Sequence, residues 1–291
     1  MTAALEPARR VIAAHPLAAF LIIGNGVYVA AALVTPLREA EIWFGLPLYA
    51  VVGGFLGVGV AAFLVTAAAD GRAGVDDLLA RMLRWRVPVW WYLLALFFVP
   101  VATTLLAVAI YGTGAFESPA HGWPHVLGVV LGVFVLQLLL FQFSEEVGWT
   151  GFFQERLSVR YRPLKLCAVV AFWWALWHLT DFFVDEGMGL EQVASALVFF
   201  VIEFVLLFFA RVLIVWMYTG TGRSILVVVV FHASFDATIS ELSDDLIPGS
   251  NAVRFLIVNS VIVLAALTVI AVTRGRFAHE PEGHGQPATV S

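Results

Sequence analysis

Two glutamates stand side by side, Glu145 and Glu146, within Phe143-Ser144-Glu145-Glu146-Val147-Gly148-Trp149-Thr150-Gly151. His178 closes the run Trp173-Trp174-Ala175-Leu176-Trp177-His178, and His232 and Asp236 are spaced to lie one turn apart on one helix face. Imidazoles, and carboxylates once desolvated, take up and release protons near neutral pH, so this set can activate a water, relay protons or ligate a metal. A structural role explains adjacent carboxylates poorly, because like charges in a low dielectric oppose each other. The others have ordinary explanations too: an interhelical hydrogen bond for His178, and a helix-surface hydrogen bond for His232 with Asp236. Glu203 reads as a partner for Arg211 or for a neighbouring helix. Trp149, Trp173, Trp174 and Trp177 read as packing, or as the wall of a pocket.

The elements that must position these groups lie in lipid. Of 291 residues, 61% are hydrophobic and 13% charged, against about 45–50% apolar in soluble domains. Runs of about 20 apolar residues between polar or Gly/Pro punctuation give eight spans: His15–Val34, Ile42–Ala69, Val89–Tyr111, His125–Gln154, Leu164–Phe183, Gln192–Tyr218, Ser224–Ile239 and Ala252–Thr273. The expected fold is all-α, a polytopic transmembrane bundle of about eight helices over 14–273, with a short N-terminal segment (1–13) and a polar tail (274–291). Basic residues fall in alternate connections: Arg9 and Arg10; Arg72, Arg81, Arg84 and Arg86; Arg156, Arg160, Arg162 and Lys165; Arg223; Arg274 and Arg276. Only Arg38 and Arg254 fall in the others. Short cytoplasmic loops are enriched in Arg and Lys, so both termini are expected in the cytoplasm of a multi-pass plasma-membrane protein. Arg211, inside the sixth span, is expected to snorkel to the inner interface. Residues Val75–Arg86 alternate apolar and Arg faces at helical spacing and are expected to lie along the inner membrane surface.

Titratable groups at membrane depth default to function. A rise of ~1.5 Å per residue puts Glu145 roughly 14 Å from the inner side, His178 roughly 21 Å, His232 roughly 12 Å and Asp236 roughly 18 Å. The three helices can therefore bring them into one polar pocket. Nucleic acid is an improbable partner; membrane lipids and a membrane-associated peptide or protein are the expected ones, with the oligomeric state open. Cys167 alone excludes an intrachain disulfide and a Cys-rich metal site. No cofactor is expected. Two histidines with carboxylates can still ligate Zn²⁺, so zinc stays open although no HExxH pattern is present. A composition rich in Ala, Val and Arg with one lysine points to a bacterial source.

These motifs, in this order, resemble the CPBP family of intramembrane proteases, which includes type II CAAX prenyl endopeptidases and bacteriocin-immunity relatives. Its Glu-Glu-x-x-x-Arg motif is similar to Glu145 through Thr150, its Phe-x-x-x-His motif to Trp174 through His178, and its His-x-x-x-Asn/Asp motif to His232 through Asp236. Tyr218 to Ile225 is similar to the family's start of the His232 helix. The resemblance covers about 127–240. It implies a glutamate-dependent endopeptidase in which Glu145, assisted by His178, deprotonates a water that attacks a peptide carbonyl. His232 and Asp236 would stabilise the oxyanion, and Glu146 would hold the site through hydrogen bonds. Two positions depart from the pattern. Thr150 replaces the usual Arg, which leaves Glu146 without its expected counter-ion; Arg156 is too far along the helix to serve. Asp236, if ionised, cannot donate to an oxyanion, so it is either protonated or orients His232. These departures support the alternative of a catalytically silent scaffold or immunity-type peptide-binding protein. A proton-coupled transporter would require paired repeats with broken helices, which the sequence does not display.

Overall fold

The computed structural model describes residues 6–42, 46–116, 122–187 and 189–278. A helix α1 (Glu6–Ala14) precedes eight helices long and apolar enough to cross a membrane. Counting their 3₁₀ and π turns, these are α2 (Pro16–Leu33), α3 (Leu48–Met82), α4 (Val89–Phe116), α5 (Trp123–Ser158), α6 (Pro163–Glu186), α7 (Leu190–Gly220), α8 (Ile225–Leu246) and α9 (Asn251–Thr273). The expected all-α, multi-pass bundle is borne out. Between α2 and α3, Glu41–Ile42 pairs antiparallel with Leu46–Pro47, so the second span starts at Leu48 rather than at Ile42. Pro47 sits at its N-cap, where a missing N–H costs nothing.

Small residues let the helices close on one another where lipid supplies no hydrophobic drive between them. A β-carbon on Gly57 would come within 2.8 Å of the Gly24 carbonyl oxygen, joining α2 to α3. A β-carbon on Gly148 would meet the Val58 carbonyl oxygen at 2.9 Å, and one on Gly59 would meet Ser144 Cβ at 2.9 Å. The latter two contacts press α3 against the stretch of α5 that carries the glutamates. That stretch is not regular α-helix. Gln137–Gln142 and Val147–Gln154 are π-helical and flank the α-helical turn Phe143–Glu146. Every residue of Val147–Gln154 is buried. Such wide turns cost regular hydrogen bonding and are frequent at functional sites.

α3 breaks at Gly71 (φ 66°, ψ −155°), a conformation that suits only glycine. The following residues continue as helix to Met82, so the segment expected over Val75–Arg86 is helical only in its first part, and its faces differ from the expectation. Arg81 does not face outward: it is 5% exposed and, with Leu78, points into the protein. The α8 helix starts at Ser224, whose hydroxyl accepts the Val227 amide. It runs on through a π turn (Thr238–Leu242), past the expected end at Ile239. Beyond α9, the left-handed Arg274 and Gly275 end the helix, and Phe277 is buried, so the tail packs at its start. Residues 279–291 of the expected tail lie outside the described residues.

Gly148→Ala should lower stability by about 1–3 kcal/mol, because the added methyl meets Val58 backbone that cannot move aside. Gly128→Ala, on the same helix with nothing within 4 Å, should cost nothing or stabilise slightly. Thermal unfolding of both in detergent checks the contrast; equal midpoints would remove the close-packing account.

Candidate active site

The site is organised by a charge at the centre of the bundle. Glu146 is fully buried, and so is Arg211 of α7, which reaches it with both ends of its fork. Nη2 donates to Glu146 Oε1 at 3.0 Å and Nη1 to Oε2 at 3.1 Å. Nη1 also donates to Thr150 Oγ1 at 2.9 Å, and the Thr150 hydroxyl donates to Glu146 Oε2. The guanidinium carbon stacks 4.0 Å over the Trp174 ring. A buried ion pair is tolerable only with this degree of hydrogen bonding.

Arg211 therefore does not snorkel, as its place in the sixth span suggested; its ion-pair partner Glu146 draws it inward. The same contact corrects the expectation that Glu146 lacks a counter-ion. At position 150 a threonine leaves room for a guanidinium delivered by another helix. Arg156, as expected, does not take part; it pairs with Asp70 and lies 4.0 Å from the Phe152 ring centre. Glu203 is not the partner of Arg211 either.

Consecutive helical residues point about 100° apart, so Glu145 cannot share its neighbour's partners. It turns instead to a cavity of about 170 Å³, lined by Glu145, Trp174, His178, Glu203, His232 and Asp236 among others. Its Oε2 accepts the Trp174 indole N–H at 3.3 Å. Trp174 thus carries both roles proposed for the tryptophans, packing and wall, while Trp177 stacks on Tyr28 with ring centres 4.1 Å apart. His178 lies edge-on to Trp177, and its Nδ1 is buried without a hydrogen-bond partner. His232 sits edge-on to Trp174, ring centres 5.1 Å apart. Its Nδ1 lies 2.9 Å from Glu146 Oε1, an ion-pair contact without in-line hydrogen-bond geometry. Its Nε2 lies 3.7 Å from Asp236 Oδ2. Asp236 in turn accepts from the Gln142 amide.

Five expected residues are thus brought together, in two layers. Glu145, His178, His232 and Asp236 face the cavity; Glu146 lies behind them, wholly engaged. The residues that sequence reasoning passed over are Gln142, Arg211 and, on the cavity wall, Phe255 and Asn259 of α9. For Arg211 the only signal was non-local: an arginine inside an apolar span, in a chain whose glutamate motif, 65 positions away, lacks its arginine. Gln142 lies three residues before Glu145 and offered no such signal. Among the described residues, no group of three or more His, Cys, Asp or Glu converges closely enough to hold a metal ion.

A polytopic all-α membrane protein with a buried carboxylate–imidazole site is what fold and geometry define. Comparison with known proteins narrows the class. Residues 123–238 match the model of the Rce1-like type II CAAX prenyl endopeptidases. Over 95 residues the chain is 28% identical to the CAAX prenyl protease 2 of Methanococcus maripaludis, a match that covers 33% of this chain and 35% of that relative. The matched region thus spans about a third of the relative's length. The resemblance read from the three motifs is borne out over the segment that carries them.

Arg211→Met should destabilise the protein by about 3–5 kcal/mol, because it strands a buried carboxylate. The double variant Arg211→Met with Glu146→Gln should cost less than Arg211→Met alone. Denaturant or thermal unfolding in detergent measures both; additive losses would show that the two side chains do not depend on each other.

Proposed function

We propose that this protein is an intramembrane endopeptidase that uses a glutamate-activated water to hydrolyse peptide bonds of membrane-associated proteins or peptides. The observation that carries the reading is the division of labour between the two glutamates. Glu146 is saturated by Arg211 and Thr150 and stands against His232, whereas Glu145 faces the cavity with one indole N–H as its only hydrogen-bond donor among the described residues. A carboxylate tethered on one side and open on the other is suited to hold and deprotonate a water.

In this mechanism Glu145 takes a proton as the water oxygen attacks the peptide carbonyl carbon. His178, with an unpaired nitrogen on the same cavity, helps orient that water. Negative charge then develops on the carbonyl oxygen, and an N–H of His232 stabilises it. Glu146 behind His232 fixes the ring. Asp236, held by Gln142, acts through His232 rather than on the oxyanion, since a carboxylate there would oppose the developing charge. As the tetrahedral intermediate collapses, the C–N bond breaks and the leaving nitrogen takes the proton that Glu145 acquired. The cavity holds its catalytic groups without a bound metal in this account. The basic residues of alternate connections support a cytoplasmic location for both termini.

Purified protein in nanodiscs should cleave members of a quenched-fluorescent peptide library that includes isoprenylated and plain C-termini. Glu145→Ala and His178→Ala should each lower turnover by at least about 10²-fold with the fold intact. Chelators should leave cleavage unchanged. Retained cleavage after Glu145→Ala would sink the glutamate mechanism. No cleavage beside an active family member would favour the peptide-binding scaffold, and loss on chelation would reinstate a metal.

A further inference from the structure

The segment that carries the glutamate pair is gripped from outside the motif region. At the end of the π-helical stretch Val147–Gln154, the Glu155 amide bonds to Phe152 rather than to Gly151 four residues back. The Gly151 carbonyl accepts instead from Arg81 Nη1, at 2.7 Å. Arg81 belongs to the short helical segment that follows the Gly71 break. Its side chain is 6% exposed, and Leu78 on the same face packs on Gly151. The same Nη1 lies 3.0 Å from the Tyr218 hydroxyl, while Nε donates to Asp77 at 2.9 Å. Tyr218 donates to Glu155 at 2.9 Å, and Arg223, just before α8, lies 2.5 Å from the other Glu155 oxygen.

The spacing makes this cluster a second latch on the same helices. Tyr218 is seven residues after Arg211 on α7, about 10.5 Å or two turns along one face. Arg211 grips Glu146 and Thr150; Tyr218, through Arg81 and Glu155, grips the same strand of chain at Gly151 and Glu155. A wide turn departs from the regular four-residue ladder, so it has more than one way to settle. A guanidinium bound to one of its carbonyls selects among them. Thr150 and Gly151 are adjacent, so a shift of the Gly151 carbonyl carries directly to the Thr150 hydroxyl, to Glu146 and to His232.

We propose that Arg81 is a positioning residue for the Glu145–Glu146 pair: by capping the Gly151 carbonyl it sets the conformation of Val147–Gln154 and hence the placement of both glutamates. Its effect on turnover rests on the peptidase reading; its hold on the segment does not.

The test combines kinetics with hydrogen–deuterium exchange on Arg81→Ala and Arg81→Lys in nanodiscs. In Arg81→Ala, kcat should fall about tenfold or more with KM within about twofold, the pattern of a misplaced catalytic group. Low guanidinium should restore part of the lost rate. Arg81→Lys keeps the charge beside Asp77 and Glu155 but not the planar fork, so it should regain stability more fully than rate. Exchange should quicken within 147–154 while the core of α6 keeps its protection. Exchange rising across the whole bundle, with activity falling only in step with the folded fraction, would reduce Arg81 to a general brace and overturn the proposal. So would unchanged exchange at 147–154. Selective exchange in a protein that cleaves no peptide would count against the peptidase reading while upholding the role of Arg81.

Discussion

A carboxylate and a guanidinium, both fully withdrawn from water, impose the constraint on which the rest of the site depends. Burying either Glu146 or Arg211 alone would strand a charge, and together they are held by a network that includes the Thr150 hydroxyl, with Arg211 Nε left without a partner among the described residues. This arrangement ties four helices to one point. α5 supplies Glu146 and Thr150, α7 supplies Arg211, α8 brings His232 against Glu146, and α6 lays Trp174 under the guanidinium. Because Trp174 also donates to Glu145 from its indole nitrogen, the ion pair indirectly places the neighbouring glutamate as well.

The backbone shows how the constraint is met. A straight α-helix through Gln137–Gln154 would set one fixed relation between Gln142, Glu145, Glu146 and Thr150. The two π-helical stretches change that relation on either side of the Phe143–Glu146 turn; Gln142 reaches Asp236, while Thr150 keeps the one-turn contact with Glu146. The irregular turns need containment. Gly148 and Gly59 admit α3 against this stretch from one side, and Arg81 holds the Gly151 carbonyl from another. Irregular helix geometry thus sits inside the longest unbroken run of buried residues among those described, 144–154.

Hydropathy and the placement of Arg and Lys made the eight membrane helices legible, because in lipid the backbone has no alternative to satisfying itself within each span. Titratable groups at membrane depth made Glu145, Glu146, His178, His232 and Asp236 legible for the same reason. What remained hidden depends on contacts far apart in sequence. Arg211 looked like a residue near an interface, since nothing local reveals a partner 65 positions away. Arg81 looked like one more basic residue on an amphipathic face, and only the break at Gly71 turns that face inward. Of the two partners expected for Glu203, Arg211 is not one, because Glu146 holds both ends of its fork; Glu203 instead lines the cavity with His178 of the neighbouring helix.

Thr150 and Arg211 together bear on how a buried site can change its parts. The resemblance implies an arginine one turn after the second glutamate, where local helix geometry delivers the counter-ion. In this chain the counter-ion arrives from α7, and the hydroxyl left at position 150 bonds to both members of the pair. The physical requirement is a cation at Glu146, not an arginine at a particular position. A motif departure that reads as the loss of a charge is here its relocation. An account in which Glu146 is held and Glu145 left open therefore does not depend on the motif being intact. By the same logic Asp236 need not act as an asparagine would: held by Gln142 beside His232 Nε2, it is placed to set the ring that faces the cavity.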